Sequence, residues 1–241
     1  MDVNRELADL LMPDVDCDIQ KWELLYPDRR LDKDSCVTRF APSPTGFLHI
    51  GGVYTALVSK RIANQSNGVF ILRIEDTDKK REVKNGVLQL IDQLKEFNIT
   101  FDEGMKTGHE CNGDYGPYIQ SARKGIYHTF VKFLIVKGLA YPCFCLPDEL
   151  DQLRKRQESA KEKTGYYGTY AIHRNASIEE VRNNLSQGKE YVIRFKNHPE
   201  AEKHFYDLIK GDITLNEDID DIVLLKTDGM PTYHLAHVAD D

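Results

Sequence analysis

The sequence has few cysteines, a single tryptophan and no long apolar run, and these shortages exclude several classes of protein. Five cysteines among 241 residues are an odd number and too sparse for a disulfide-stapled secreted domain. No apolar stretch approaches the roughly 18 residues of a membrane span. The acidic first residues, Met-Asp-Val-Asn-Arg-Glu, also lack the apolar core of a signal peptide. We therefore expect a reduced, cytoplasmic chain that does not bind a membrane.

Basic residues are not in excess either. The 32 lysines and arginines are outnumbered by 39 aspartates and glutamates, which gives a formal net charge of −7. A role in binding nucleic acid therefore requires a local basic surface, because the chain as a whole repels phosphate. Hydrophobic residues at 41% and charged residues at 29% are ordinary for a globular protein that buries one large core or two modest ones.

Residues 37–52 form the most informative motif of the sequence. They read Val-Thr-Arg-Phe-Ala-Pro-Ser-Pro-Thr-Gly-Phe-Leu-His-Ile-Gly-Gly. Its first four residues favour a strand, its two prolines cannot continue a ladder, and its end opens a helix. A strand, a Pro/Gly-rich loop and a helix together aim free N–H groups at phosphate. Gly51 and Gly52 allow a ligand close to the backbone, and His49 can donate a hydrogen bond to phosphoryl oxygens.

Two later segments add polar residues to this prediction. Residues 69–74 form an apolar run typical of a buried parallel strand, and Glu75-Asp76-Thr77-Asp78 follow it. Acidic residues at the carboxyl end of such a strand lie where α/β sheets bind ligands, although a turn with helix-capping acids is the ordinary alternative. In the predicted helix after Asp228-Gly229, Tyr233 and His237 share one face, where core packing is the ordinary alternative.

Residues 37–52 closely resemble the Arg-Phe-Ala-Pro-Ser-Pro-Thr-Gly-x-Leu-His-Ile-Gly-Gly signature of the bacterial-type glutamyl-tRNA synthetases. These are class I aminoacyl-tRNA synthetases, whose general "HIGH" element appears here as His49-Ile50-Gly51-Gly52. Three further segments are similar to the family: Leu-Arg-Ile-Glu-Asp-Thr-Asp at 72–78, Tyr-x-Gln-Ser-x-Arg at 118–123, and Pro-Thr-Tyr-His-Leu-Ala-x-Val-x-Asp-Asp at 231–241.

The resemblance implies an α/β fold, the Rossmann-like parallel sheet of a class I synthetase with an inserted α+β domain. The first half of the catalytic domain is expected at 37–116, the inserted tRNA-acceptor-binding domain at 117–226, and the start of the second half at 227–241. Residues 1–36 are expected to be an N-terminal extension that packs against the catalytic domain. The resemblance stops before the "KMSKS" loop and the anticodon-binding domain, so we expect an N-terminal portion that is inactive alone.

The activity implied by the resemblance is that of a glutamate–tRNA ligase, which forms glutamyl-adenylate from ATP and transfers glutamate to the 3′ end of tRNA(Glu). The expected partners are tRNA(Glu), L-glutamate and ATP with Mg²⁺, and the expected state is a monomer. The resemblance assigns ATP contacts to Thr45, His49, Gly51 and Gly52, with His49 catalytic. It assigns glutamate contacts to Arg39, Ala41, Ser43, Glu75, Tyr233 and His237. Glu75 is assigned to the substrate ammonium, and Arg39 and Ser43 to a substrate carboxylate.

Two alternatives to this activity stay open. The first is a truncated paralogue that charges a modified nucleoside in tRNA. The second is a non-catalytic module, built from the same half fold, that binds RNA or a protein partner.

Cys143 and Cys145 raise the question of a metal, because two cysteines one residue apart can form half of a zinc site. A structural zinc site needs about four ligands, and the other three cysteines lie far upstream without paired spacing. In zinc-containing relatives the further ligands come from a Tyr-x-x-x-Cys element. This chain keeps Tyr166 but has Tyr170 where that cysteine belongs. We therefore predict no metal, and buried free thiols at the pair.

Overall fold

The computed structural model describes residues 2–78, 80–81, 83–107, 110–198, 203–215 and 220–241. The chain forms two compact units. We call Ile19–Ile126 the signature unit, because it contains the motif at 37–52. We call the other unit, which combines Met1–Asp18 with Tyr127–Asp241, the cysteine unit, after Cys143 and Cys145.

The secondary structure alternates between helices and short strands. The first half of the chain contains α1 (Val3–Leu11), α2 (Gln20–Leu25), β1 (Val37–Phe40), α3 (Ile50–Gln65), β2 (Val69–Leu72), α4 (Gly86–Glu96), β3 (Glu103–Met105), β4 (Cys111–Asn112) and a 3₁₀ helix (Gln120–Arg123). The second half contains α5 (Lys124–Val136), β5 (Ala140–Cys143), α6 (Pro147–Ala160), a 3₁₀ helix (Gly168–Tyr170), α7 (Ile178–Ser186), β6 (Val192–Phe195), β7 (Lys203–Asp207), β8 (Gly211–Leu215), β9 (Val223–Leu225) and α8 (Tyr233–Asp240). No helix among the described residues has both the length and the apolar character needed to span a bilayer.

The signature unit is built on a four-stranded sheet in the order β1-β2-β3-β4. Strands β1, β2 and β3 are parallel, and β4 pairs antiparallel with β3. Helices α3 and α4 form the two crossovers that parallel neighbours require. The predicted α/β class with a parallel sheet is therefore confirmed.

The core of this unit lies between the sheet and its helices. The fully buried strand residues Phe70 and Leu72 face the inner side chains of α3 and α4. The buried members of this core are Phe40, Val53, Ala56, Ala63, Phe70, Leu72, Ile74, Leu90, Ile91, Leu94, Ile99, Met105 and Tyr118. This packing fixes the carboxyl ends of β1 and β2, from which the motif residues extend.

Left-handed asparagines mark two helix ends. Helix α4 begins at Gly86, because the Val83 N–H donates to the Pro44 carbonyl at 3.0 Å and Asn85 is left-handed. At the end of α3 the left-handed residue is Asn67 rather than Gly68. Gly68 is needed for a different reason, since a Cβ there would lie 1.9 Å from the Cys36 carbonyl oxygen.

The cysteine unit contains an antiparallel sheet in the order β5-β6-β9 and a separate hairpin of β7 and β8. Its main core contains Tyr127, Val131 and Ile135 of α5, packed with residues of α1, α7 and α8. At the hairpin turn, the Asp207 carboxylate accepts hydrogen bonds from the N–H groups of Ile209 and Lys210. This explains the Asp-Leu-Ile-Lys-Gly sequence there as a turn closed by its own aspartate.

Helix α1 is an integral part of the cysteine unit. Lys132 is only 4% exposed, and its ammonium donates to the carbonyls of Met12 and Val15 at 2.9 and 2.8 Å. The same ammonium lies 2.7 Å from the Asp9 carboxylate. A buried lysine requires such partners, so the first residues of the predicted extension are held in place by specific polar contacts.

Candidate functional site

His49 caps the helix that follows the motif loop. Its Nδ1 atom accepts a hydrogen bond from the Gly51 N–H at 3.1 Å, and its carbonyl accepts from Gly52 at 2.8 Å and Val53 at 3.2 Å. The imidazole is otherwise exposed. Because Nδ1 is the acceptor, the proton of the neutral ring is on Nε2, which can then donate to a ligand. The cap thus orients the ring for the predicted phosphate contact.

Gly51 and Gly52, at the start of α3, also lie close to other side chains of the signature unit. A Cβ on Gly51 would lie 3.3 Å from the His49 Nδ1 atom, and a Cβ on Gly52 would lie 2.8 Å from Leu48 Cδ1. A side chain at either position would therefore require a small shift of the His49 ring or of the Leu48 side chain even without a ligand. The 16-residue helix α3 also directs the positive end of its dipole at this loop, which favours an anion there.

Arg39, Ala41, Ser43 and Thr45 follow one another through the end of β1 and the loop after it. Ser43 is exposed, whereas the other three are half-buried. The Thr45 N–H donates to the Ser43 carbonyl at 2.9 Å, which folds the loop back on itself. The structure thus gathers these four residues and His49 on one strand, loop and helix start.

Glu75 lies next to this loop. The segment after β2 continues beside the segment after β1, because the Arg73 N–H donates to the Phe40 carbonyl and the Glu75 N–H donates to the Pro42 carbonyl, both at 3.1 Å. The Glu75 side chain is half-buried. Predicted residues of both strands therefore meet at the carboxyl ends of the parallel sheet, the usual binding edge of an α/β fold.

Asp76 has a positioning role that the sequence analysis missed. Its carboxylate is 8% exposed and accepts hydrogen bonds from the N–H and hydroxyl of Ser121 at 2.8 and 2.6 Å. Beside it, the Ile74 N–H donates to the Tyr118 carbonyl, and the Gln120 N–H donates to the Ile74 carbonyl. The Tyr-x-Gln-Ser element was the available signal, since its serine is the partner of Asp76.

Tyr233 and His237 belong to the cysteine unit, on α8. Their rings stack with centroids 5.4 Å apart, as expected for residues four apart on one helix face. Tyr233 is 60% exposed and His237 is exposed, with its Nδ1 atom 3.0 Å from an Asp241 carboxylate oxygen. This exposure argues against the alternative of core packing for both side chains.

A second cluster of chemically active side chains lies in the cysteine unit. One ligand atom each from Cys143, Cys145 and His173 fall within 4.8 Å of one another. The Cys145 sulfur is 3.5 Å from His173 Nδ1, and the Tyr166 hydroxyl oxygen is 3.4 Å from both of these atoms. A hydrogen bond from Cys145 lowers the pKa of the Cys143 thiol, and the same bond raises the pKa of Cys145.

The sequence analysis did not identify His173 as a possible further ligand of the cysteine pair. His173 supplies an imidazole nitrogen, and Tyr166, only 4% exposed, brings a hydroxyl. Tyr170 is not involved in this cluster, because its hydroxyl donates to Glu162. In a tetrahedral zinc site with bonds of about 2.3 Å to sulfur and about 2.0 Å to nitrogen, neighbouring ligand atoms are about 3.5 Å apart. The three distances among Cys145, Tyr166 and His173 fit such a site.

A family model and individual relatives of known name both place the chain in the same family. A sequence model described as the catalytic domain of class I tRNA synthetases (E and Q) matches residues 35–241. The glutamate–tRNA ligase of Clostridium beijerinckii is 50% identical over 238 residues, which are 98% of this chain and 43% of that protein. The glutamate–tRNA ligase of Acetivibrio thermocellus is 49% identical over 240 residues, 98% of this chain and 44% of the relative.

Solved structures agree with the sequence comparison. The crystal structure of a glutamate tRNA ligase from Elizabethkingia meningosepticum, in complex with its amino acid, matches 87% of this chain and 42% of its own. The TM-score is 0.76 and the identity is 40%. The chain therefore spans less than half the length of the relatives it matches.

Proposed function

Since the chain belongs to the family formed by the catalytic domain of the class I tRNA synthetases for glutamate and glutamine, we propose that it is the amino-acid-activating portion of a glutamate–tRNA ligase. In the proposed reaction the α-carboxylate of glutamate attacks the α-phosphorus of ATP, giving glutamyl-adenylate and pyrophosphate. The glutamyl group then passes to a ribose hydroxyl at the 3′ end of tRNA(Glu). The predicted family resemblance is confirmed; the complete activity is our proposal.

One observation carries the proposal: the motif loop after β1 lies next to the residues that follow β2. A histidine-capped helix start, suited to a phosphate, lies in the same unit as the backbone contact between Glu75 and Pro42. An anion site beside a carboxylate is the arrangement that an aminoacyl-adenylate requires, because the ligand carries a phosphate and an ammonium. Transfer at phosphorus depends mainly on positioning and charge stabilisation.

We assign the residues as follows. His49 donates from Nε2 to the phosphate oxygens, and Thr45, Gly51 and Gly52 border the nucleotide. Arg39 and Ser43 bind a substrate carboxylate, Glu75 binds the ammonium, and Ala41 borders the amino acid. Tyr233 and His237 stay predicted contacts of glutamate. The Mg²⁺ that accompanies ATP supplies further neutralisation of phosphate charge.

The wider setting follows from the same proposal. The chain acts in the cytoplasm as a monomer, and its partners are tRNA(Glu), ATP and L-glutamate. Residues 117–226 are the domain that receives the acceptor end of the tRNA. The names of the relatives favour the ligase over a paralogue that charges a modified nucleoside and over a non-catalytic module.

We further infer that Cys143, Cys145, Tyr166 and His173 hold a zinc ion. Two thiols and an imidazole are donors that zinc accepts, and the Tyr166 hydroxyl oxygen lies beside them. The distances of 3.4 to 3.5 Å among Cys145, Tyr166 and His173 fit tetrahedral bonding. The ion would cross-link the end of β5 to the segment around Tyr166 and His173, which is a structural role. This proposal replaces the prediction of no metal, and elemental analysis of the purified chain tests it: about one zinc ion per chain supports the site, and none contradicts it.

A thermal-shift titration tests the proposed function. The chain is titrated with ATP, with glutamate and with a non-hydrolysable sulfamoyl analogue of glutamyl-adenylate. The analogue is expected to raise the unfolding midpoint in a concentration-dependent way, because it binds only the folded state. Glu75→Ala and Arg39→Ala are expected to abolish the shift, since each removes a charged partner of the ligand.

Glu96→Ala is the matched control, because Glu96 is an exposed carboxylate at the end of α4 in the same unit. It is expected to leave the analogue's shift unchanged. A wild-type chain that shows no shift with saturating analogue would contradict the proposal that this portion forms the activating site.

A further inference from the structure

The segment from Gln20 to Arg29, which we call the strap, is held to the rest of the signature unit by directional polar contacts. The Tyr26 hydroxyl donates to the Gly116 carbonyl at 2.7 Å, and the Tyr115 hydroxyl donates to the Pro27 carbonyl at 2.8 Å. Helix α2 itself has no buried residue, and Leu24 is 82% exposed. The strap is therefore attached through hydrogen bonds and rings rather than by burying an apolar face.

Arg29 makes the strongest of these contacts. Its guanidinium donates two hydrogen bonds to the Glu103 carboxylate, at 2.5 and 2.7 Å, and lies 3.8 Å from the centre of the Tyr115 ring. Both partners of the ion pair are largely buried, with side chains 16% and 15% exposed. A bidentate pair of this kind fixes orientation as well as distance, so lysine is not an equivalent replacement.

Glu103 passes this constraint to the loop that ends at Ser121. One carboxylate oxygen also accepts the Tyr118 hydroxyl at 2.8 Å, and the hydroxyl oxygen in turn accepts the Tyr115 N–H at 3.1 Å. The three side chains of Arg29, Glu103 and Tyr118 therefore form one chain of hydrogen bonds. Tyr118 is the last of these three residues, and its backbone belongs to the loop.

That backbone holds the segment that contains Glu75. The Tyr118 carbonyl accepts the Ile74 N–H at 2.8 Å, and Ser121 holds the Asp76 carboxylate with two hydrogen bonds. Glu75 lies in the chain between Ile74 and Asp76, and its own N–H donates to the Pro42 carbonyl. The position of Glu75 thus depends on the loop that the strap holds.

We propose that Arg29 is a positioning residue for the recognition of the substrate ammonium by Glu75. Arg29 is proposed not to touch the substrate. It acts through Glu103 and Tyr118 on the backbone of Ile74, the residue before Glu75. This inference rests on the proposed function, in which Glu75 binds the ammonium of glutamate. It gives the strap a role in binding the α-ammonium of the amino acid.

The test compares two ligands that differ by one group. Calorimetry measures the affinity of the chain for the sulfamoyl analogue of glutamyl-adenylate and for its glutaryl counterpart, which lacks the α-amino group. Arg29→Ala is expected to weaken the amino ligand about tenfold, because a small displacement of Glu75 spoils its ammonium contact. The same variant is expected to change the glutaryl ligand less than about twofold, because that ligand has no ammonium to bind.

Two further variants keep the result interpretable. Arg30→Ala is the matched control, since Arg30 is the neighbouring arginine and is exposed; it is expected to leave both affinities unchanged. Arg29→Lys keeps the charge but not the bidentate geometry, and an intermediate loss for the amino ligand alone is expected. All titrations are made well below the melting temperature of each variant, so that partial unfolding does not contribute.

The outcomes separate the two proposals. An equal loss for both ligands, or no loss for either, overturns the positioning role and leaves the strap a general stabilising element. A wild-type chain that binds neither ligand overturns the proposed function, and the role of Arg29 with it. A selective loss for the amino ligand in Arg29→Ala, absent in Arg30→Ala, supports the inference.

Discussion

The two units present their chemistry in different ways. In the signature unit, Arg39, Ser43 and His49 lie within one short stretch, and the strand, loop and helix of that stretch orient them. In the cysteine unit, Cys145 and His173 are 28 residues apart in the chain, and only the folded unit brings them within 3.5 Å. The first site is therefore encoded locally, and the second by tertiary structure.

This difference decides what a sequence alone can show. A local site is visible because prolines, glycines and a capping residue each have a conformational reason that needs no knowledge of the rest of the fold. The spacing of Cys143 and Cys145 signals only half of the assembled site, because the number of residues between Cys145 and His173 is set by the intervening helix α6 and loop. We expect the two sites also to respond differently to substitution, and three predictions test this.

The largest effect is expected in the assembled site. Cys145→Ser removes one of the four proposed zinc ligands, so the zinc content should fall from about one to well below one ion per chain. The cysteine unit should lose about 5 kcal/mol of unfolding free energy, because metal affinity is linked to folding. Elemental analysis measures the first quantity, and urea unfolding followed by circular dichroism measures the second.

The control for this prediction is Cys111→Ser, at an exposed cysteine of the signature unit. It should change neither zinc content nor stability. The chain's only tryptophan, Trp22, lies in the signature unit, so its fluorescence reports that unit separately. Unfolding of the signature unit should be unchanged in Cys145→Ser. A wild-type chain purified without any zinc would remove the basis of the comparison.

A smaller effect is expected at His49, where the contributions of cap and ligand contact can be separated. His49→Ala should lose about 1 kcal/mol of stability in the signature unit, because the Gly51 N–H loses its acceptor. His49→Asn should recover that stability, since asparagine is a good helix cap. Neither variant should bind the adenylate analogue with wild-type affinity, because both lack the Nε2–H donor.

Trp22 fluorescence during urea unfolding measures the stability of each variant, and calorimetry measures its affinity for the analogue. If His49→Asn binds as well as the wild type, His49 is needed only as a cap and the site is less local than we propose. If His49→Ala is as stable as the wild type, the cap contributes nothing measurable.

Much of the fold could be predicted from the sequence, and the exceptions have physical causes. Strand β1 and helix α3 lie where the motif predicted them, and α7 follows its capping serine, Ser177. Strand β3 was missed because it has only three residues, one of them Gly104 with a positive φ, and no alternation of apolar and polar residues. Such a strand forms because its neighbour β2 offers backbone partners, which a sequence pattern does not reveal.

The candidate site shows the same division. Tyr233 and His237 could be predicted to share a helix face, because that relation depends only on helix periodicity. The Asp76–Ser121 contact could not, because it joins segments 45 residues apart. The roles of Arg29 and Glu103 are of the same kind, with 74 residues between the two partners. Long-range polar pairs are thus the part of the site that required the structure.

The smallest expected effect concerns the Arg29–Glu103 pair and its dependence on pH. The hydrogen bonds from Arg29 lower the pKa of Glu103 in the folded chain. A lowered folded pKa means that the ion pair stabilises the signature unit above the unfolded pKa of about 4.3 and stops doing so as pH falls through the folded pKa. Glu103→Gln should therefore cost about 1 kcal/mol at pH 7, and the difference from the wild type should shrink as the pH falls below about 4.

Urea unfolding followed by Trp22 fluorescence, at several pH values between 3 and 7, measures this difference. Asp92→Asn is the control, because the Asp92–Lys95 pair lies in the same unit with side chains 69% and 60% exposed. An exposed pair is screened by solvent, so its removal should cost little at any pH. A cost for Glu103→Gln that does not vary with pH would mean that the charge on Glu103 adds nothing to its contact with Arg29. The charge on Glu103 would then be dispensable for positioning Glu75.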